Sequence, residues 1–340
     1  MIEKYLITNE LSRKRWRIFK RSKTAVISTI FLLFLILLTF VSPFVANSRP
    51  LVLKYNQQMY FPVVKDYTAD VFGISDRLDV DYRELKLSSE DYALWPIIQW
   101  DPYESNAKVE NYPSGPSATN ILGTDDRGRD VFTRLLYGFK YSITYAVAVW
   151  IISLSIGTIL GGTMGFFGGK VDFIGQRVVE VLSTVPQFFL LIILISIFSP
   201  SLYLLIMITC VFAWIGISYY VRAEFLKNRN KEYVEAAKSL GASNFKIIFK
   251  HILPNSLTPI ITFAPFTIAA EIVGLAALDY LGFGLQVPTP SWGELLAQAQ
   301  KNYNIAWWLA FYPSLALFTV LTLLNLIGQG VRDAMDPNSI

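Results

Sequence analysis

The stretch KEYVEAAKSLGASNFKIIFKHILPN, residues 231–255, is the most polar part of the second half of the chain, yet it lies between two long uncharged runs. Its apolar positions Tyr233, Ala236, Ala237 and Leu240 fall at i, i+3, i+4 and i+7, with Glu232, Glu235 and Lys238 on other faces. That spacing predicts an amphipathic helix with small side chains at its centre. Gly241 suits the left-handed residue that follows a helix C-terminus, and Ser243 suits the cap of a second helix through Lys250, before Pro254 interrupts. Small residues let another surface come close, so the first helix fits a docking element; a loop helix packed on its own bundle has the same spacing.

The runs on either side set the class. Of 340 residues, 53% are apolar and only 16% are charged, against about a quarter charged in soluble domains. Uncharged runs cover 24–48, 141–169, 181–221, 252–270 and 302–331, each long enough to cross roughly 30 Å of hydrocarbon. The third holds 41 residues, too many for one span, and Ser199-Pro200 breaks it because proline lacks an amide donor and clashes with the preceding turn. The expectation is six spans. For the first, a cleavable signal peptide is the rival; its long core and the lack of a clear small-x-small cleavage site favour a retained anchor.

Charge orients the spans. Residues 1–23 carry eight Lys or Arg against two Glu, 222–251 carry seven against three, and 49–140 carry 11 against 14 acids. The positive-inside rule then places both termini, the turn 170–180 and the 222–251 loop in the cytoplasm, and 49–140 outside. The organisation expected is a cytoplasmic segment 1–23, a first span 24–48, an outer insertion 49–140, a five-helix core 141–331 that contains the charged loop, and a tail 332–340. The pattern follows membrane sidedness rather than a nucleic-acid footprint.

Up to about residue 120 the insertion reads as a small folded cap in which LVLKY and MYFPVV are extended. LGTDDRGRDVFTRLLYGFKYS, residues 122–142, predicts a capped interfacial helix that feeds the second span. Its apolar stripe is Val131, Leu135 and Leu136, set against Arg129, Arg134 and Lys140. Inside the second span, Gly157, Gly161, Gly165 and Gly169 recur every fourth residue and form a face for close helix contact. Gly169-Lys170 is no phosphate loop, because Met164 and Val171 occupy the positions that need Gly and Ser or Thr. One Cys and one His exclude a disulfide framework and a clustered Cys/His metal site, and no cofactor is implied. Cys210 reads as a small hydrophobe and His251 as a surface residue. Glu271 and Asp279, near the outer end of the fifth span, either line a pathway or sit at the interface.

The segment EAAKSLGASNFKIIFKHILPN resembles the EAA loop of binding-protein-dependent ABC transporter permeases, specifically the C-type permease of the peptide and nickel branch. LGTDDRGRDVFTRLLYG resembles that branch's segment before the second span, through Gly123, Asp125, Gly128, Arg129 and Asp130. GFFGGKVDFIGQRVVEVLSTVPQF resembles the lead into its third span, through Asp172, Arg177 and Pro186. LDYLGFGLQVPTPSWGELL, with Gly282 and Gly284, and VRDAMDPN resemble its outer loop and tail. The chain departs from the branch at Leu275 and Gln329, where many relatives carry acids, and at Asp279, where the family has serine. Its long insertion and Asp279 look most like the subgroup that imports microcin C-type peptides and related oligopeptides.

The resemblance implies an all-α, six-span permease of the type I, MetI-like fold with a periplasmic insertion, in the inner membrane. It implies no bond chemistry in this chain. The implied partners are a homologous B-type permease, two cytoplasmic ABC ATPase domains, a periplasmic peptide-binding protein, a peptide substrate and the lipid bilayer. Tyr233, Glu235, Ala236, Ala237, Leu240, Gly241, Leu253 and Pro254 become the expected ATPase contact. The alternatives are an ion-gradient transporter, disfavoured by the lack of mid-span charges, and a membrane scaffold whose outer segment binds a partner.

Overall fold

The computed structural model describes residues 10–74 and 80–336. The first nine residues of the basic segment 1–23, and the last four of the tail, lie outside the described residues. The helices are α1 (Glu10–Arg21), α2 (Lys23–Phe40), α3 (Val131–Phe167), α4 (Gly169–Ser183), α5 (Gln187–Ile197), α6 (Leu202–Asn228), α7 (Glu232–Ser239), α8 (Thr258–Tyr280), α9 (Trp292–Lys301) and α10 (Trp307–Met335). The chain divides into two compact units, one of residues 1–33, 142–278 and 318–340, the other of 34–141 and 279–317.

Five helices, α2, α3, α6, α8 and α10, are long and apolar enough to cross a membrane, and the pair α4 and α5, bent by 68°, makes up to six. The expected break at Ser199-Pro200 is present, and Ser201 opens α6 by accepting the amide of Leu204 at 3.2 Å. A second break was not expected. Residues 170–180, read as a short turn, are helical: the turn is confined to Gly168 and Gly169, at φ of 63° and 52°, and α4 begins at once. It ends before Val185-Pro186, because proline has no amide to continue the ladder and disfavours helical geometry in the residue before it; Pro186 then serves as the N-cap of α5. With 11 residues, α5 rises only about 16 Å, so it crosses a bilayer only together with α4.

In the first unit the glycine face of α3 lies against α6. A Cβ at Gly161 would stand 2.5 Å from the carbonyl oxygen of Ser218, and one at Gly165 would stand 2.6 Å from that of Arg222. One at Gly157 would stand 2.9 Å from the Trp214 carbonyl oxygen and from the Ile217 side chain, whereas Gly169 faces open space at the turn into α4. Backbone therefore packs on backbone, a contact that any side chain would prevent.

The second unit holds the insertion. Val52–Tyr55, Gln58–Tyr60 and Tyr92–Leu94 form a three-stranded antiparallel sheet, with Leu53 opposite both Tyr60 and Ala93. LVLKY is thus extended as expected, but MYFPVV is extended only to Tyr60, before Pro62, which has no amide for a ladder. Leu53, Phe72 and Tyr82 form its core. Helix α3 starts at Val131 and runs unbroken for 37 residues, so the expected separate interfacial helix is the first turns of the second span.

Candidate functional site

The hairpin that follows α6 is built to present one face and lock the other. Helix α7 ends with Leu240 as C-cap, the Gly241 amide bonds the Lys238 carbonyl at 2.9 Å, and the Ala242 amide bonds that of Ala237 at 3.0 Å. This pair of bonds requires the left-handed φ of 77° seen at Gly241. Ser243 caps the following helical run through the amide of Lys246 at 3.4 Å. That run does not stop at Lys250. A π-helical turn, Ile247–Ile252, absorbs the donor missing at Pro254, and the helix continues as Leu253–Ser256.

Val234, Ala237, Ile247 and Ile252 are buried in one core with Val221 and Phe225 of α6 and Ile260 of α8, and Leu253 packs against it. Tyr233 donates to Asn228 at 3.2 Å, and Asn228 donates to Ser256 at 3.3 Å, so α7 is also tied to both flanking segments by side chains. The expected stripe is therefore divided. Ala237 faces inward beside Val234, which sequence spacing missed, while Tyr233, Ala236 and Leu240 face outward with Glu235, Gly241 and Pro254. Leu240 is 88% exposed and Phe245 70%, and the Phe245 and Phe249 rings pair at 4.4 Å without cover.

Nearby, Asp172 of α4 takes a two-point grip from Arg222 of α6, Nε to Oδ1 and Nη2 to Oδ2, the latter at 2.6 Å. Arg229 Nη1 donates to the carbonyl of Gly165 at 3.2 Å. Arg177 pairs with Glu180 and lies over the Phe173 ring at 5.2 Å, both on its own helix.

The second unit holds a buried charge cluster. Asp125 is fully buried; Arg129 Nε donates to its Oδ2 at 2.7 Å, and Arg129 Nη2 donates to Oε1 of Glu294 at 3.1 Å. Arg134, also fully buried, donates to Oε2 of Glu294 and to the carbonyls of Pro102 and Pro288 at 2.9 and 3.2 Å. Arg129 and Arg134 thus do not form the polar stripe of an interfacial helix. Asp130 caps α3 by accepting the Thr133 amide at 2.8 Å and also accepts from Asn120 at 3.0 Å. Burial pushes its carboxyl above the usual range against those hydrogen bonds. Gly123 and Gly128 are the left-handed corners of this turn, and a Cβ at Gly128 would fall 2.4 Å from the Tyr112 ring.

Asp279 brackets the outer loop. It accepts the Leu285 amide at 2.6 Å on one oxygen and the Ser291 hydroxyl on the other. Gly282 turns that loop with positive φ, and a Cβ at Gly284 would overlap the carboxylate. Glu271 instead lines a cavity in the first unit. The two acids, grouped by sequence, are therefore separate in structure. Glu294 escaped sequence reading, although Ser291-Trp292-Gly293-Glu294 has the spacing of a capping box, and Ser291 does accept the amides of Gly293 and Glu294.

Residues 157–339 match the family model of the binding-protein-dependent transport system inner membrane component, and residues 11–62 match the N-terminal transmembrane domain of oligopeptide transport permease C. The chain is 39% identical over 333 residues to the inner membrane ABC transporter permease protein YejE of Escherichia coli K12, covering 96% of this chain and 97% of that one. It is 34% identical over 355 residues to the peptidoglycan transport system permease protein YejE of Agrobacterium fabrum, covering 96% and 93%. With the dipeptide transport system permease protein DppC of Bacillus subtilis the identity is 38% over 229 residues, covering 67% and 71%. A solved inward-facing structure of the MetNI methionine ABC transporter shares the fold at a TM-score of 0.50 and 19% identity, over 60% of this chain and 97% of that one. The chain belongs to the inner membrane components of binding-protein-dependent ABC importers, as a multi-pass C-type permease of the peptide and nickel branch, a non-catalytic subunit whose ATP hydrolysis resides in a partner.

Proposed function

We propose that this chain is one of two permeases of an ATP-driven importer of peptides or peptide-like compounds, with the hairpin 229–256 as its coupling element. The observation that carries the reading is the divided face of the hairpin. Val234, Ala237, Ile247 and Ile252 fix it to α6 and α8, while Tyr233, Ala236, Leu240, Phe245 and Phe249 stay uncovered. An exposed apolar patch rimmed by charge marks a partner surface, and the occupant is a groove of a cytoplasmic ABC ATPase domain. Because the hairpin is joined to two membrane helices by buried side chains and by the chain itself, motion imposed on it by ATP binding and hydrolysis is passed to the pathway.

The basic excess of 222–251 supports a cytoplasmic hairpin and cytoplasmic termini. The remaining partners are a B-type permease, a second ATPase domain and a periplasmic binding protein that delivers substrate near the 49–120 insertion. The names of the relatives, which include dipeptide, oligopeptide and peptidoglycan transport permeases, support peptide-type cargo. The finer reading, import of microcin C-type peptides, draws support from the insertion and Asp279. Nothing in the comparisons supports an ion-gradient transporter or a scaffold.

Uptake into proteoliposomes that contain both permeases and both ATPase domains tests the reading. Vanadate-sensitive accumulation of peptide that needs the binding protein is expected, and a panel holding a microcin C-type peptide and a peptidoglycan peptide decides the finer substrate. Accumulation by the permease without an ATPase would overturn it.

A further inference from the structure

Helices α3, α6 and α8 line a partly open cavity of about 170 Å³ within the first unit. At roughly 30 Å³ per water, it holds five or six waters, or a short chain end, and not a whole peptide. Its polar wall is Glu271, Ser153 and Thr267, and its aromatic wall is Trp150, Tyr220 and Phe263; the other lining residues are aliphatic or small. Tyr220 and Phe263 sit side by side, with ring centroids 5.7 Å apart.

Two features of this wall are poorly compensated. Glu271 makes no hydrogen bond or ion pair with any described residue, and no Lys or Arg lines the cavity. Ser153 is only 2% exposed, and among the described residues its hydroxyl meets only the Cys210 thiol, a weak hydrogen-bonding partner. A carboxylate within a membrane helix is costly unless it is paired, and it marks a functional site whose partner should be named. Here no described residue hydrogen-bonds or pairs with Glu271.

The chemistry of the missing guest follows from the lining. A cation answers Glu271, and the ring faces of Trp150, Tyr220 and Phe263 attract cations through their quadrupoles. Calcium takes six to eight oxygen ligands, more than this wall offers. A guanidinium brings five donors in a fixed fork, against four side-chain oxygens on the polar wall, two of Glu271 and one each of Ser153 and Thr267. A primary ammonium brings three donors, within the capacity of those four oxygens. We propose that the cavity between α3, α6 and α8 is a transit site for the primary ammonium group of a peptide, whether its N-terminus or a lysine-type side chain.

This inference rests on the peptide-importer reading, and the experiment separates the two. The full transporter, with its ATPase and binding protein, is reconstituted as wild type, Glu271→Gln and Phe263→Leu. Three probes are compared: trialanine, N-acetyl-trialanine and N-acetyl-Ala-Lys-Ala. Every variant sees the same binding protein, so any selectivity of that protein cancels when variants are compared. Wild type should prefer trialanine over its acetylated form, and Glu271→Gln should reduce that preference at least tenfold. Phe263→Leu should reduce it by a smaller factor, and it decides the matter if the first variant does not assemble. Uptake of N-acetyl-Ala-Lys-Ala by wild type, lost in the variants, assigns the side-chain amine as a guest; preference for trialanine alone assigns the N-terminus. An unchanged preference in both variants, or none in wild type, overturns the ammonium site and leaves the peptide importer standing. Failure of wild type to take up any peptide overturns both.

Discussion

Arg134 shows how a single side chain can hold a distant loop. Its guanidinium joins the start of α3 to Glu294 of α9 and to the carbonyls of Pro102 and Pro288, with no exposure to solvent. Removing one partner of such a pair leaves the other charged and buried, a loss of about 3–5 kcal/mol. Arg134→Ala should therefore lower the melting temperature of the detergent-purified transporter by several degrees, and Arg134→Lys should recover only part, because lysine cannot reproduce the fork. Asp126 offers the opposite sign. Burial first, then the neighbouring Asp125 and Glu294, raises its pKa, and one of its oxygens is buried without a partner. A carboxyl whose folded pKa lies above its unfolded value costs stability at neutral pH, and the cost disappears as pH falls through the folded value. Asp126→Asn should melt slightly higher than wild type at pH 7, with the difference shrinking in a melting series run toward pH 4. The Asp125–Arg129 half of this cluster was legible as a motif, since its residues lie within one short segment. Glu294 was not, because its contact spans 160 positions and one sequence cannot show which charges converge.

Among the elements, the α3–α6 contact was the most readable, since glycine at every fourth position already describes a face. Its limit was Gly169, which continues the spacing but belongs to the turn. Because the obstacle at Gly161 is the Ser218 backbone rather than a flexible side-chain end, Gly161→Ala should cost about 1–3 kcal/mol, seen as earlier thermal aggregation of the purified complex. Helix α4 was hidden by Lys170, Asp172 and Arg177, whose charges read as a loop between spans; Asp172 in fact grips Arg222. In the hairpin, spacing found the helix but turned it by one position, since Val234 lies between Tyr233 and Glu235 and was passed over. At Gly241 the space around a Cβ is open, so the constraint is the left-handed backbone, which costs an ordinary L residue about 1–2 kcal/mol. Gly241→Val should lower co-purification of the ATPase several-fold, while Gly241→Asn, which tolerates that conformation, should retain most of it. Equal loss in both would point to the side chain and not to the backbone.

At the scale of the molecule, the unit bearing the hairpin and the unit bearing the insertion each have their own core and their own ion pairs, and α2, α3, α8 and α10 contribute residues to both. The Escherichia coli YejE relative is matched over 96% of this chain and the Bacillus subtilis dipeptide permease over 67%. The partners were legible only through the resemblance, because a partner surface and a self-packed surface obey the same helical spacing until burial separates them. The most direct measurement uses Leu240→Cys carrying a photo-activated cross-linker in membranes that contain the whole transporter; the native Cys210 is buried and contributes little background. The account predicts that the captured product contains the ATP-hydrolysing subunit. A product that contains only the binding protein, or none from a fully labelled position 240, would contradict it.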